Sequence, residues 1–171
     1  DGDGPLGAVH ADCFDTNKLR GYVDNPQVDL PLKVNGKLDV AAGVGQHGQL
    51  TVTRFTPEKT TYTSQADLVS GEIADDIAYY LFTSEQVPST ISLGVLVSQD
   101  YTIAAAGGFL VQTLPGAKDE DLARVEANIT QVGALTTYLQ DHPNGEGLID
   151  IILSGMHFKE LYRQNLYWRC T

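Results

Sequence analysis

The stretch from Leu68 to Thr113 constrains the fold of this 171-residue chain more than any other part of it. It reads LVSGEIADDIAYYLFTSEQVPSTISLGVLVSQDYTIAAAGGFLVQT, one patterned helix followed by two apolar strands. Ser70 suits an N-cap, because its hydroxyl can accept a free first-turn N–H. Glu72, Asp75 and Asp76 follow, where negative charge complements the positive end of a helix. Ile73, Ile77, Tyr80, Leu81 and Ser84 then share one face at helical spacing. Pro88 cannot continue a helix, and its predecessor Val87 is biased toward extended backbone. The spacing therefore predicts a helix over residues 71–85. Tyr79 and Phe82 point away from its main apolar face, as scattered surface aromatics or as a second contact surface.

Thr90–Val97 is almost uninterrupted in apolar and β-branched character, the pattern of a strand covered on both faces. Thr102–Ala106 and Phe109–Leu114 read as one strand broken by Gly107-Gly108, which marks a bulge or a close backbone approach. Upstream, strands are expected around Val9, at Gly21–Val23, at Val28–Leu32 and at Tyr62–Val69. Asn35-Gly36 between Val28–Val34 and Lys37–Val40 is a two-residue hairpin signal. Downstream the period changes to helical. Leu122, Val125, Ile129 and Val132 lie along one side of a helix opened by Asp119-Glu120-Asp121. Leu135, Tyr138 and Leu139 form a second short helix, and Leu148–Leu153 a third with Gly155 as its stop. Leu166–Arg169 is strand-like. The fold class is α+β: mainly antiparallel β-sheets packed with helices, with a helical C-terminal third. The pattern divides the chain into a β-rich part over 1–117, including the helix at 71–85, and a helical part over 118–165.

Motifs of known chemistry are scarce. Gly43-Val44-Gly45-Gln46-His47-Gly48 matches the dinucleotide fingerprint G-x-G-x-x-G, which needs a helix after it to hold a pyrophosphate. Here Gln49–Phe55 follows and alternates like a strand, so the glycines read as a turn between strands. A small-molecule enzyme using this loop is the alternative that a helix after Gly48 would revive. The run Asp1-Gly2-Asp3-Gly4 lacks the downstream glutamate of a calcium loop. His10, His47, His142 and His157 have no metal-ligand spacing, and no nucleophile elbow or Walker loop occurs. Asp75 and Asp76 are adjacent, and dipole complementarity accounts for both. Net charge is −11, which disfavours binding to phosphate backbones and hence to nucleic acid. No apolar run is long enough to span a membrane. The chain opens at Asp1 rather than Met, and is expected to be a fragment or a processed product. Cys13 and Cys170 make no disulfide framework, and a reducing, cytoplasmic setting is the simplest expectation.

A set of longer motifs resembles one family. Gly21-Tyr22-Val23-x-Asn25-Pro26-x-Val28, Asn35-Gly36-Lys37-Leu38-Asp39-Val40 and Leu68–Ala74 are similar to the heat shock protein 33 family of redox-regulated holdase chaperones. So are Tyr79-Tyr80, Ser84-Glu85-Gln86-x-Pro88-Ser89, Leu93–Val97, Ala105–Phe109 and Leu114–Ala117. The resemblance runs from about Gly4 to Cys170. It implies an ATP-independent, non-enzymatic chaperone of the cytoplasm that holds unfolding client proteins under oxidative stress, and pairing as a homodimer. It also implies zinc bound by four cysteines, C-x-C then C-x-x-C, which form two disulfides on oxidation. By the same resemblance, 1–117 is the core, 118–165 is the linker and 166–171 starts the zinc module. Cys170 aligns with the first of these, as metal ligand and as redox cysteine. Its partners do not occur in this chain, so none of the zinc is expected here. The resemblance further implies structure ahead of Asp1, which Tyr79 and Phe82 would contact if they do not contact a partner subunit. A dimerisation module without a client is the remaining alternative.

Overall fold

The computed structural model describes residues 1–14, 17–56 and 61–169. They fall into two compact units, Val87–Lys159 and the remainder, in which Asp1–Gln86 is joined by the stretch from Glu160 onward. The boundary between 117 and 118 lies inside the former unit.

The unit containing the amino terminus is built from two small sheets and one long helix. Strands β1 (Val9–Phe14) and β2 (Lys18–Val23) form an antiparallel pair, and β2 also pairs in parallel with β7 (Tyr167–Trp168). Strands β3 (Gln49–Phe55) and β4 (Thr61–Asp67) form an antiparallel hairpin. Helix α2 (Ile73–Glu85) packs on that hairpin through Tyr80 and Leu81, both buried. Tyr80 donates to the Glu85 carboxylate at 3.0 Å, and its hydroxyl lies 2.5 Å from that of Ser64 on β4. Arg54 on β3 pairs with the same Glu85. Among the described residues, Val44, Tyr80 and Leu81 are the buried apolar side chains of this unit, a thin core.

Two upstream expectations fail. Neither Val28–Leu32 nor Lys37–Val40 is a strand. Asn35-Gly36 does form a tight turn, with the Lys33 amide donating to the Lys37 carbonyl at 2.8 Å. The ladder stops there, because Asp39 caps a five-residue helix α1 (Val40–Val44) by accepting the Ala42 amide at 3.1 Å. Local capping outcompetes the hairpin signal.

The other unit is an antiparallel hairpin, β5 (Ser89–Val97) and β6 (Ile103–Gln112), with helices on one face. Helices α3 (Asp119–Val132), α4 (Leu135–Asp141) and α5 (Leu148–Ile152) lie where the helical period places them. The core is Ala105, Leu135, Leu139, Leu148 and Ile152, with Leu96, Phe109 and Val111 packed on it from the strands. β6 runs unbroken through Gly107-Gly108, and the register irregularity lies at Leu96/Val97 instead. The glycines serve close approach. A Cβ on Gly107 would stand 3.3 Å from the Leu139 Cδ2, and one on the facing Gly94 would stand 3.2 Å from the Thr136 amide. Two strand glycines paired across the hairpin thus make the seat for α4. The α3 stripe also carries a polar residue, Asn128. It is buried and donates from Nδ2 to the Ile152 and Ser154 carbonyls, both at 3.0 Å, tying α3 to the end of α5.

Candidate functional site

The apolar surface is the first candidate. In β5 and β6, alternate residues face opposite sides. Gly94, Leu96, Ala105, Gly107 and Phe109 turn toward the helices. Leu93, Val95 and Leu110 turn away from them and are 51%, 47% and 52% exposed. β5 is therefore not covered on both faces, contrary to its sequence pattern. On α2, Tyr79 and Phe82 are 40% and 60% exposed. They stand on the side of the helix away from Tyr80 and Leu81, at the position that helical spacing assigns to them. Ile73, expected on the inner face, is itself at the margin of exposure, and the inner face is centred instead on Asp76, Tyr80 and Leu81. Apolar exposure on this scale is a feature of interaction surfaces.

Asp76 departs most from its expected role. It is 3% exposed, and its Oδ1 accepts the amides of Val69 and Ser70 at 2.8 and 3.0 Å. It holds the turn ahead of α2, beyond any effect on the helix dipole. Asp75 next to it is exposed in the first turn, where the dipole reading suffices. Glu72, not Ser70, occupies the N-cap, and the Ser70 hydroxyl accepts the Glu72 amide at 3.0 Å.

The Gly43–Gly48 loop is the second candidate. It lies at an open concavity lined by Asp3, Pro5, Asp39, Gln46 and His47. Strand β3 follows it and no helix does, so the context of a dinucleotide fingerprint is absent. Three of its amides are already occupied. Gly43 and Gly45 donate to Asp39 and Ala41 carbonyls at 3.1 and 2.8 Å, and His47 donates to the Asp3 carboxylate at 3.1 Å. The His47 amide holds the Asp3 carboxyl below its ordinary range, against the opposing effect of burial and with further help from the His47 ring and the Gln46 amide. Two carboxylates at the mouth, Asp3 and Asp39, would repel a phosphate.

Among the described residues, no three of His, Cys, Asp and Glu come together in a way that could hold a metal ion. Cys170, the zinc and redox candidate, lies outside the described residues. Cys13 is an exposed free thiol on β1. The zinc that the resemblance implies thus finds no set of donors among these residues. No described helix is long and apolar enough to cross a membrane.

Comparison with known proteins places this arrangement. The crystal structure of a 33 kDa chaperonin (heat shock protein 33 homolog) from Thermotoga maritima matches with a TM-score of 0.86 and 38% identity, over 99% of this chain and 58% of that one. The fold is thus the α+β fold of that protein. The 33 kDa chaperonin of Limosilactobacillus fermentum is 41% identical over 170 residues, covering 99% of this chain and 58% of the relative. That of Staphylococcus aureus strain JH9 is 40% identical over 171 residues, covering 100% and 58%. The family described as Hsp33 protein matches residues 1–171, and the chain belongs to the Hsp33 family. It spans 58% of the length of these relatives.

Proposed function

We propose that this chain is the client-holding core of an ATP-independent holdase chaperone. The observation that carries the reading is the uncovered apolar face of the β5–β6 hairpin, Leu93, Val95 and Leu110, in a chain of a family whose relatives are named chaperonins. A client in the course of unfolding offers apolar segments without fixed shape. A flat, open, aliphatic face accepts such segments with little shape selectivity, because burial of apolar area is non-directional. The net charge of −11 helps to keep the exposed apolar surface in solution. Nothing in this activity needs a nucleotide, a nucleic acid or a membrane, and the chain acts as a binder rather than an enzyme.

Redox control belongs to the longer protein in this reading. Cys170 would be the first of four zinc-binding cysteines, and the switch would act through residues this chain does not carry. Pairing as a homodimer and residence in the cytoplasm complete the proposal.

The test is light scattering from a thermally unfolding client without ATP, with the chain at near-equimolar concentration. Suppression of aggregation is expected, equal before and after peroxide. Leu93→Ser with Leu110→Ser should weaken it several-fold while helices α3 to α5 stay folded by circular dichroism. No suppression by the unaltered chain at large excess would sink the reading. A large gain on peroxide treatment would instead give Cys13 or Cys170 a regulatory role of its own.

A further inference from the structure

Three segments far apart in sequence meet at the Gly43–Gly48 loop. On one side lies the amino-terminal segment: Gly4 and Leu6 donate to the Val44 and Gly43 carbonyls at 2.9 and 3.0 Å, and Gln49 donates to the Asp1 carbonyl at 2.8 Å. Asp3 accepts the His47 amide between those contacts. On the other side lies the turn that starts α2. A Cβ on Gly71 would collide with the Gly45 carbonyl oxygen, and a Cβ on Gly4 or Gly45 would collide with backbone across the opposite contact. Gly45, at φ 90°, and Gly71, at φ 78°, also adopt backbone that favours glycine. Asp76 then fixes the turn from the helix side through the Val69 and Ser70 amides. The fingerprint-like spacing is therefore spent on backbone-to-backbone contact, and an internal carboxylate takes the place an anion would have.

This matters because the unit has so thin a core. With Val44, Tyr80 and Leu81 as its buried apolar residues, the side-chain packing on α2 is thin, and the backbone clasp adds to the polar ties from β3 and β4. We infer that residues Asp1–Leu6, the Gly43–Gly48 loop and the turn at 69–72 form a latch, with Asp3 as its catch. Closed, it holds the turn that starts α2 against the loop. Open, it frees that turn and adds Val44 to the apolar surface already presented by Tyr79 and Phe82, while Tyr80 and Leu81 keep their packing on the β3–β4 hairpin. That the added surface holds clients rests on the chaperone reading above; the latch itself does not.

The experiment compares the chain with its Asp3→Ala and Asp3→Asn variants by amide hydrogen exchange and by fluorescence of a dye that binds apolar surface. Asp3→Ala should speed exchange at His47 by about tenfold or more, the loss expected of a hydrogen bond to a charged group. It should also speed exchange at Val69 and Ser70 several-fold and raise dye fluorescence. Amides of Leu139 and Ile152 should not change, which separates local release from global unfolding. Asp3→Asn keeps an acceptor oxygen and should fall between the two, which covers the case in which Asp3→Ala does not fold. Faster exchange confined to His47, with Val69, Ser70 and dye binding unchanged, would refute the coupling to α2. An open latch with unaltered client suppression would refute its part in holding. Failure of the unaltered chain to suppress aggregation would refute the chaperone reading and leave the latch intact.

Discussion

Asp75→Ala and Asp76→Ala should differ far more than two adjacent acidic residues in one helical turn ordinarily do. Asp76 is 3% exposed and accepts two amides at 2.8 and 3.0 Å. Truncation leaves both amides of this part-buried turn without that partner. A fully buried unsatisfied group costs roughly 1–3 kcal/mol, so two part-buried ones should together cost about 2 kcal/mol or more, up to a ceiling of about 6 kcal/mol. Asp75 is exposed and makes only the favourable interaction with the helix end, worth about 0.3–1 kcal/mol and partly offset by the better helix propensity of alanine. Urea denaturation gives both numbers. Trp168 is the sole tryptophan and belongs to the same unit as α2, so its fluorescence reports on the relevant part of the chain. If the two variants unfold within about 0.5 kcal/mol of each other, Asp76 is not the anchor of the turn. The account of how α2 is held would then be wrong.

Glu85 gives a pH dependence. Its carboxyl is held below the ordinary value of 4.5, first by the Arg54 guanidinium, against the opposing effect of burial and with help from the Tyr80 hydroxyl. A lowered folded pKa means stability that is complete above the unfolded value and lost as pH falls through the folded one. The melting temperature should drop on acidification below the unfolded value, and Glu85→Gln should flatten that part of the curve; parallel curves would refute it. Gly107→Val should cost about 1–3 kcal/mol by overpacking against Leu139, read as a lower urea midpoint. Tyr79→Ser with Phe82→Ser in the full-length protein should lower the sedimenting mass or the melting temperature, since burying each ring stabilises by roughly 1.5–3 kcal/mol; no change in either would leave both as ordinary surface aromatics. Desalted chain should carry clearly substoichiometric zinc, and stoichiometric metal lost on Cys170→Ser would reveal a site shared between chains.

What could be read from sequence divides along a physical line. Helix α3 and the starts of α4 and α5 were legible because a side-chain period is a local property. So was the outward position of Tyr79 and Phe82 on α2, which follows from spacing alone. The short helix at Val40–Val44 was not, because five residues are too few for a period and Asp39 decides the matter by one capping bond. Covering of β5 was misjudged because an apolar strand reads alike whether its second face meets its own chain or is left open. Asp76 and Asn128 were missed for a common reason. Each is a polar residue in a helix whose partners lie in another segment: the turn at 69–70 for one, the end of α5 for the other. A hint existed for Asn128, since it falls beside Val125, Ile129 and Val132 on the apolar stripe of α3, where a polar side chain needs a partner.

The glycine loop shows why motif letters and motif physics must be kept apart. In a dinucleotide site, glycines let a backbone approach a pyrophosphate, and a helix N-terminus supplies the field that holds it. Here the same spacing lets one backbone approach another from two sides, and both requirements of a phosphate site fail together. A strand follows the loop, so no helix begins at its end. Asp3 already accepts the amide that an anion would use, and Asp39 stands at the mouth as a second negative charge. Removing Asp3 therefore should not create a nucleotide site. Asp3→Ala frees one amide but leaves the Asp39 charge and the missing helix as they were. Titration of that variant with pyrophosphate should show no saturable protection of the His47 amide. Protection at His47 in Asp3→Ala, absent from the unaltered chain, would mean that the loop keeps an anion nest beneath its catch and that its glycines can serve a phosphate after all.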